Sequence, residues 1–154
     1  MKKTFIFLSL GTLFLTSGVS AEESTEQITL PEFYLTVVRT VDNQPSDLQT
    51  TKVSRSAIDQ KLCWVGKGDF PEKVEVTEIL TSPEKISVEV EEGISKTSNN
   101  GKTHTLTSTV NSIKDQKAVT RCWTFEQNDP KGKYTIQVKA HNIQYKEAVF
   151  EVSD

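Results

Sequence analysis

The chain is poor in the residues from which most active sites are built. Its 154 residues include two histidines, two cysteines and one methionine, with seven glycines scattered singly. There is no H-E-x-x-H, C-x-x-C or calcium-loop spacing, so metal-site signals are missing. No G-x-S-x-G elbow is present to expose a serine nucleophile, and no glycine-rich loop to cradle a phosphate. No block of five or more basic residues occurs, which disfavours nucleic acid and anionic lipid as partners. No window shows convincing helical periodicity. After residue 21 there is no apolar run long enough to span a bilayer.

The first 21 residues form a pattern of their own. Lys2 and Lys3 precede an apolar run from Phe5 to Leu15, and Val19 and Ala21 supply the small −3 and −1 residues of a cleavage site. Charge, apolar run and small-residue exit together predict a secretory signal peptide over 1–21. The short Met-Lys-Lys start follows the habit of bacterial signals. Export to the periplasm or medium is therefore expected, with no membrane span after cleavage. Cleavage would leave 133 of the 154 residues, enough for one domain with a real core. Of the 18 basic residues, Lys2 and Lys3 would be lost, leaving 16 against 21 acidic, a net charge of −5. Residues 22–27 read as a polar tail and 28–154 as the folded domain.

Period-two alternation runs through that domain, interrupted by turn residues. It predicts strands around Phe33–Val38, Lys61–Val65, Val74–Leu80, Ile86–Val90, Thr103–Val110, Ala118–Glu126, Tyr134–Ala140 and Ala148–Val152. Ile86, Val88 and Val90 against Ser87, Glu89 and Glu91 make the cleanest half-buried pattern. A loop is expected around Asp42–Asp47, another over Gly93–Gly101 with a tight turn at Asn99-Asn100-Gly101, and a turn at Asn128-Asp129-Pro130-Lys131-Gly132. Lys52–Ile58 reads equally as strand or irregular chain. The expected fold class is all-β: an antiparallel, immunoglobulin-like sandwich of about seven or eight strands. The closing segment, from Gly132-Lys133-Tyr134-Thr135-Ile136-Gln137-Val138 to Ala148–Val152, resembles bacterial immunoglobulin-like modules in general form and marks no single family.

Each cysteine is followed by a tryptophan: Cys63-Trp64 and Cys122-Trp123. Two cysteines alone in an exported chain predict one disulfide. Neighbours on a strand face opposite ways, so sulfur and indole should lie on opposite faces. Trp123 shares its parity with Val119 and Phe125, and Trp64 with Leu62. Trp64, Trp123, Phe125 and Tyr134 are thus candidate core aromatics, with the disulfide linking neighbouring strands of one sheet. The rival is the immunoglobulin arrangement, with the cysteines bridging two sheets and both tryptophans outside as a binding patch.

Sites are harder to read. His104 and His141 read as solvated or ordinary strand-end histidines. Paired carboxylates could serve glycoside chemistry, but Glu72, Glu75, Glu89, Glu91 and Glu92 alternate along strands or crowd one turn, as a solvated face does. Glu78 falls on the parity of Val74, Val76 and Leu80, and a bulge would explain it. The expected function is non-catalytic binding of a protein or glycan through sandwich-end loops, with no cofactor. Lys67, Asp69 and Phe70 in one loop, together with Asn128, Asp129 and Lys131 in the other, are the candidate surface. Phe70 would either anchor a partner from the loop tip or tuck back under the sheet. Two alternatives are an inhibitor or immunity-type protein blocking an envelope enzyme, and an accessory subunit of a surface polymer such as a pilus, with Ile28–Val38 as a donated strand.

Overall fold

The computed structural model describes residues 31–154, so the leader over 1–21 and the tail over 22–27 lie outside the described residues. Eleven strands follow one another: β1 (Phe33–Val41), β2 (Gln44–Asp47), β3 (Lys52–Ser54), β4 (Gln60–Lys67), β5 (Lys73–Thr81), β6 (Ile94–Ser98), β7 (Thr103–Asn111), β8 (Ala118–Trp123), β9 (Gly132–Ala140), β10 (Ile143–Gln144) and β11 (Ala148–Ser153). Two 3₁₀ turns, Asn99–Gly101 and Lys114–Gln116, are the helical elements among the described residues. The strands form a β-sandwich. One sheet has the order β2-β1-β4-β8; the other runs β3-β11-β9-β5-β7-β6, with β10 on the end of β9. Pairing is antiparallel except between β3 and β11.

The inner faces follow from alternation. In the smaller sheet, Val37, Leu62, Trp64 and Val119 face inward; in the larger, Val74, Val76, Leu80, Tyr134, Ile136, Val138, Phe150 and Val152 meet them. Burial removes each large apolar side chain from water, worth roughly 1.5–3 kcal/mol apiece. Tyr134 stacks on Phe150 with ring centroids 5.2 Å apart, and its hydroxyl donates to the Pro130 carbonyl at 2.7 Å. That bond ties the turn before β9 to the core.

Four segments depart from the alternation reading. Ile86, Val88 and Val90 are half-buried and Ser87 and Glu89 exposed, as the pattern requires, yet 85–90 is not a strand. A strand needs an edge to pair with, and β6 already occupies the outer edge of β7. Conversely β6, wholly exposed and polar apart from Ile94, lies where the sequence reads as a loop. The left-handed Asn99 and Asn100 fold it back onto β7 as a hairpin. The Asp42–Asp47 loop is largely a strand: Asp42 and Asn43 take φ of 52° and 60°, a type I′ pair, and β2 returns along β1. Pro45 is tolerated there because β2 is an edge. The expected Ala118–Glu126 strand stops at Trp123.

At one end of the sandwich Tyr145 lies over β4, donating its hydroxyl to the Lys67 carbonyl at 2.9 Å. A Cβ on Gly66 would stand 2.7 Å from the ring and hydroxyl of Tyr145, which is 2% exposed. Gly66→Ala is therefore expected to destabilise the fold by about 1–3 kcal/mol through overpacking, read as a lower urea midpoint at unchanged slope.

Candidate functional site

Cys63 and Cys122 face each other across β4 and β8, bonded, with Cα atoms 4.0 Å apart. The disulfide therefore lies within one sheet; it does not bridge two sheets as in immunoglobulins. Trp64 and Trp123 take the opposite, inner face of the same strands. Trp64 is 1% exposed, while Trp123 and Phe125 are half-buried against the core.

Both indoles converge on Glu78. The Nε1–H of Trp64 donates to Glu78 Oε1 at 2.6 Å, and the Nε1–H of Trp123 donates to the same oxygen at 2.8 Å. Arg121 donates to Oε2 at 3.1 Å and to the Ser108 hydroxyl, and its guanidinium lies 4.8 Å from the Trp123 ring centroid. Glu78 is 0% exposed, flanked in its own sheet by Leu106 and Val138. There is no bulge: β5 and β7 stay in register from Lys73 to Thr81. The side chain faces the core because the core supplies three donors to it. Burial pushes its carboxyl above the ordinary carboxylate range, against the pull of the two indoles and Arg121.

His104 is also buried, not solvated. It is 1% exposed, with Nε2 at 3.1 Å from the Gly101 carbonyl and Nδ1 at 3.2 Å from Thr97 Oγ1. A carbonyl only accepts, so Nε2 carries a proton and donates it to the Gly101 oxygen. His141 sits at the other end of the larger sheet, its backbone N–H on the Glu75 carbonyl. Among the described residues no group of three or more histidine, cysteine or acidic side chains could hold a metal ion.

The two candidate loops do not form one surface. β4 ends at Lys67 opposite Ala118, where β8 begins; β8 runs back and leaves the sheet at Trp123, opposite Leu62. The 68–72 and 124–131 connections therefore lie at opposite ends of the sandwich. At the first end, Lys67 Nζ reaches the Gln116 carbonyl, Asp69 pairs with Lys117, and Phe70 packs back against the core rather than standing out. Asp69 and Phe70 line only a shallow depression of about 190 Å³. At the second end, Lys131 pairs with Asp154, which together with Arg55 holds that carboxyl below its usual range.

Asn128 and Asp129 line the larger depression, a groove of about 580 Å³ between the extended 85–89 segment and residues 123–129. Its floor holds Leu80, Ile86, Val88, Trp123 and Phe125, and its rim holds Lys85, Glu89, Glu126, Asn128 and Asp129. The 85–89 wall is not legible in the sequence, where its alternation reads as a half-buried strand. Arg121 on the core face is legible only through its parity, which it shares with Val119 and Trp123. An acid and a base on core-facing parities of two different strands was the available signal.

Fold, disulfide and groove define a disulfide-tied β-sandwich of a kind suited to oxidising compartments. Among the described residues no helix is long and apolar enough to cross a membrane. Residues 33–153 match the PM0630 beta sandwich domain, and the chain belongs to that family. It is similar to Uncharacterized protein PM0630 of Pasteurella multocida (strain Pm70), at 23% identity over 133 residues covering 86% of this chain and 84% of that protein.

Proposed function

We propose that this chain is an exported, non-catalytic binding module of the bacterial periplasm or medium, recognising a protein or glycan partner. The observation that carries the reading is the groove of about 580 Å³ in which Trp123 and Phe125 lie beneath a polar rim. Binding sites pair an apolar, aromatic floor with a few polar groups that fix orientation. The non-catalytic part of the reading is supported by Glu78: the carboxyl most removed from water is sealed from solvent and engaged by three donors, so it is not placed to take a substrate proton. The export reading rests on the leader pattern and agrees with a formed disulfide. A polymer subunit donating Ile28–Val38 fits less well, since β1 pairs with β4 and β2 of its own chain.

The test uses the mature chain on a glycan array and as bait in envelope extracts, with captured proteins identified by mass spectrometry. Glu126→Ala with Asn128→Ala is expected to reduce binding of the recovered partner at least fivefold, while Asp69→Ala at the other end leaves it unchanged. The reverse result would move the site to the Phe70 end; no retained glycan or protein would remove the module reading.

A further inference from the structure

The groove lies between residues 85–89 and the end of β8, and each of these stretches has an open backbone edge among the described residues. On β8, the N–H and C=O of Ala118 both bond to Ile113, on the side away from β4. Backbone groups alternate sides along a strand, so Thr120 and Cys122 also point theirs outward; Thr124 lies one residue past the end of β8. β8 is the outermost strand of its sheet, and nothing pairs with that edge beyond Ala118 among the described residues. Cys122 and Thr124 are exposed. Across the groove, Ile86 bonds through its N–H to the Gly101 carbonyl, and residues 87–92 then make no backbone-to-backbone bond among the described residues.

Open edges invite pairing, and proteins blunt those they do not use. The other outer strands here carry such devices. β2 has four residues and includes Pro45; β3 has three and pairs Lys52 with Glu151; β6 carries Lys96 at its centre. The outward positions of β8 carry no proline or lysine. From these observations we propose that the outer edge of β8 is a strand-addition site for an extended, basic peptide segment of a partner protein. The segment pairs with Thr120–Thr124 and lies against Lys85–Glu89. This deepens the binding-module reading and rests on it.

The chemistry of the occupant follows from the walls. A strand in the groove turns alternate side chains toward Leu80, Ile86, Val88 and Phe125, so those positions are apolar. Its other side chains meet a rim of Glu89, Glu126 and Asp129 against one cation, Lys85. Glu84, Glu91 and Glu92 extend the acidic stretch. Basic residues complement that rim. A second copy of this chain would bring the same acidic rim against itself, which disfavours edge-to-edge pairing of β8 with β8.

The experiment titrates the mature, oxidised chain with eight-residue peptides, following tryptophan fluorescence, since Trp123 lines the groove. A peptide alternating lysine and valine is expected to bind at least tenfold more tightly than one alternating glutamate and valine. N-methylation of alternate amides should cost at least tenfold, because only a backbone-paired strand needs those N–H groups. Thr124→Pro should cause a similar loss at unchanged melting temperature, proline being tolerated at an edge. Glu89→Lys with Glu126→Lys leaves the backbone intact and should reverse the preference between the two peptides. Equal binding of both peptides, insensitivity to N-methylation, or a charge-reversed variant with unaltered preference would overturn the site. A dimer on size-exclusion chromatography that Thr124→Pro dissolves would also overturn it, by making a second copy the occupant. A chain that ignores every peptide yet binds a glycan in the groove overturns strand addition alone and leaves the binding module standing.

Discussion

Replacing Arg121 by methionine is expected to cost about 3 kcal/mol of folding stability at neutral pH, because it strands a buried carboxylate. Glu78 has no access to water and apolar neighbours along its own sheet. Arg121 is the cation that faces it, with a side chain 19% exposed. Without Arg121 the two indoles still donate to Oε1, but nothing offsets the charge. The loss should depend on pH. Burial raises the folded carboxyl above its ordinary value of 4.5, against the opposing pull of Trp64, Trp123 and Arg121. With a raised folded value, the folded state keeps its proton where the unfolded chain has shed it. The stability linked to protonated Glu78 is then complete below about pH 4.5 and is lost as the pH rises through the folded value. Removing Arg121 raises that value further and widens the window. The deficit of Arg121→Met should therefore be small in acid and grow toward neutrality, measured by urea unfolding across pH. Adding Glu78→Gln should recover at least half of the neutral-pH loss. The amide oxygen can accept from both indoles, and no charge remains to be compensated. A deficit independent of pH, or no rescue by glutamine, would show that Arg121 acts through packing alone.

The second large effect belongs to the disulfide. Cys63 and Cys122 are 59 residues apart in sequence and directly opposed on β4 and β8. Closing a loop of that length restricts the unfolded chain by about 4 kcal/mol in the chain-entropy account. For a domain of this size, that corresponds to a melting temperature lower by about 15 °C. Replacing both cysteines by alanine, or melting in reductant, should show the drop. Mass measured after alkylation without reductant should show no free thiol in the native chain. β8 is an outer strand held on its β4 side, so its pairing is where the link matters most. In the cysteine-free protein, amide exchange should quicken in β8 before β5 or β9, the central strands of the other sheet.

Much of the scaffold could be read from side-chain parity. Val74, Val76 and Leu80, and Tyr134, Ile136 and Val138, face the core as their alternation implies. Cys63 and Cys122 share one face of their sheet because Trp64 and Trp123 need the other. The errors cluster where parity carries no information about pairing. The Ile86–Val90 segment has a strand's side-chain pattern and no partner edge, whereas Ile94–Ser98 has no such pattern and pairs through a turn. Glu78 and Arg121 look like defects in two separate strands until those strands are stacked face to face.

Alternation and turn chemistry determined by themselves that this chain builds two layers of strands, and that sulfur and indole part company on β4 and β8. These are local properties, set by the two-residue period of extended backbone. Only the tertiary structure decided which edges are filled, which loops share an end, and that Glu78 meets its donors across the core. Strand neighbours and facing layers are chosen by competition among distant segments for the same edge and the same buried space, and no short window of sequence contains both competitors.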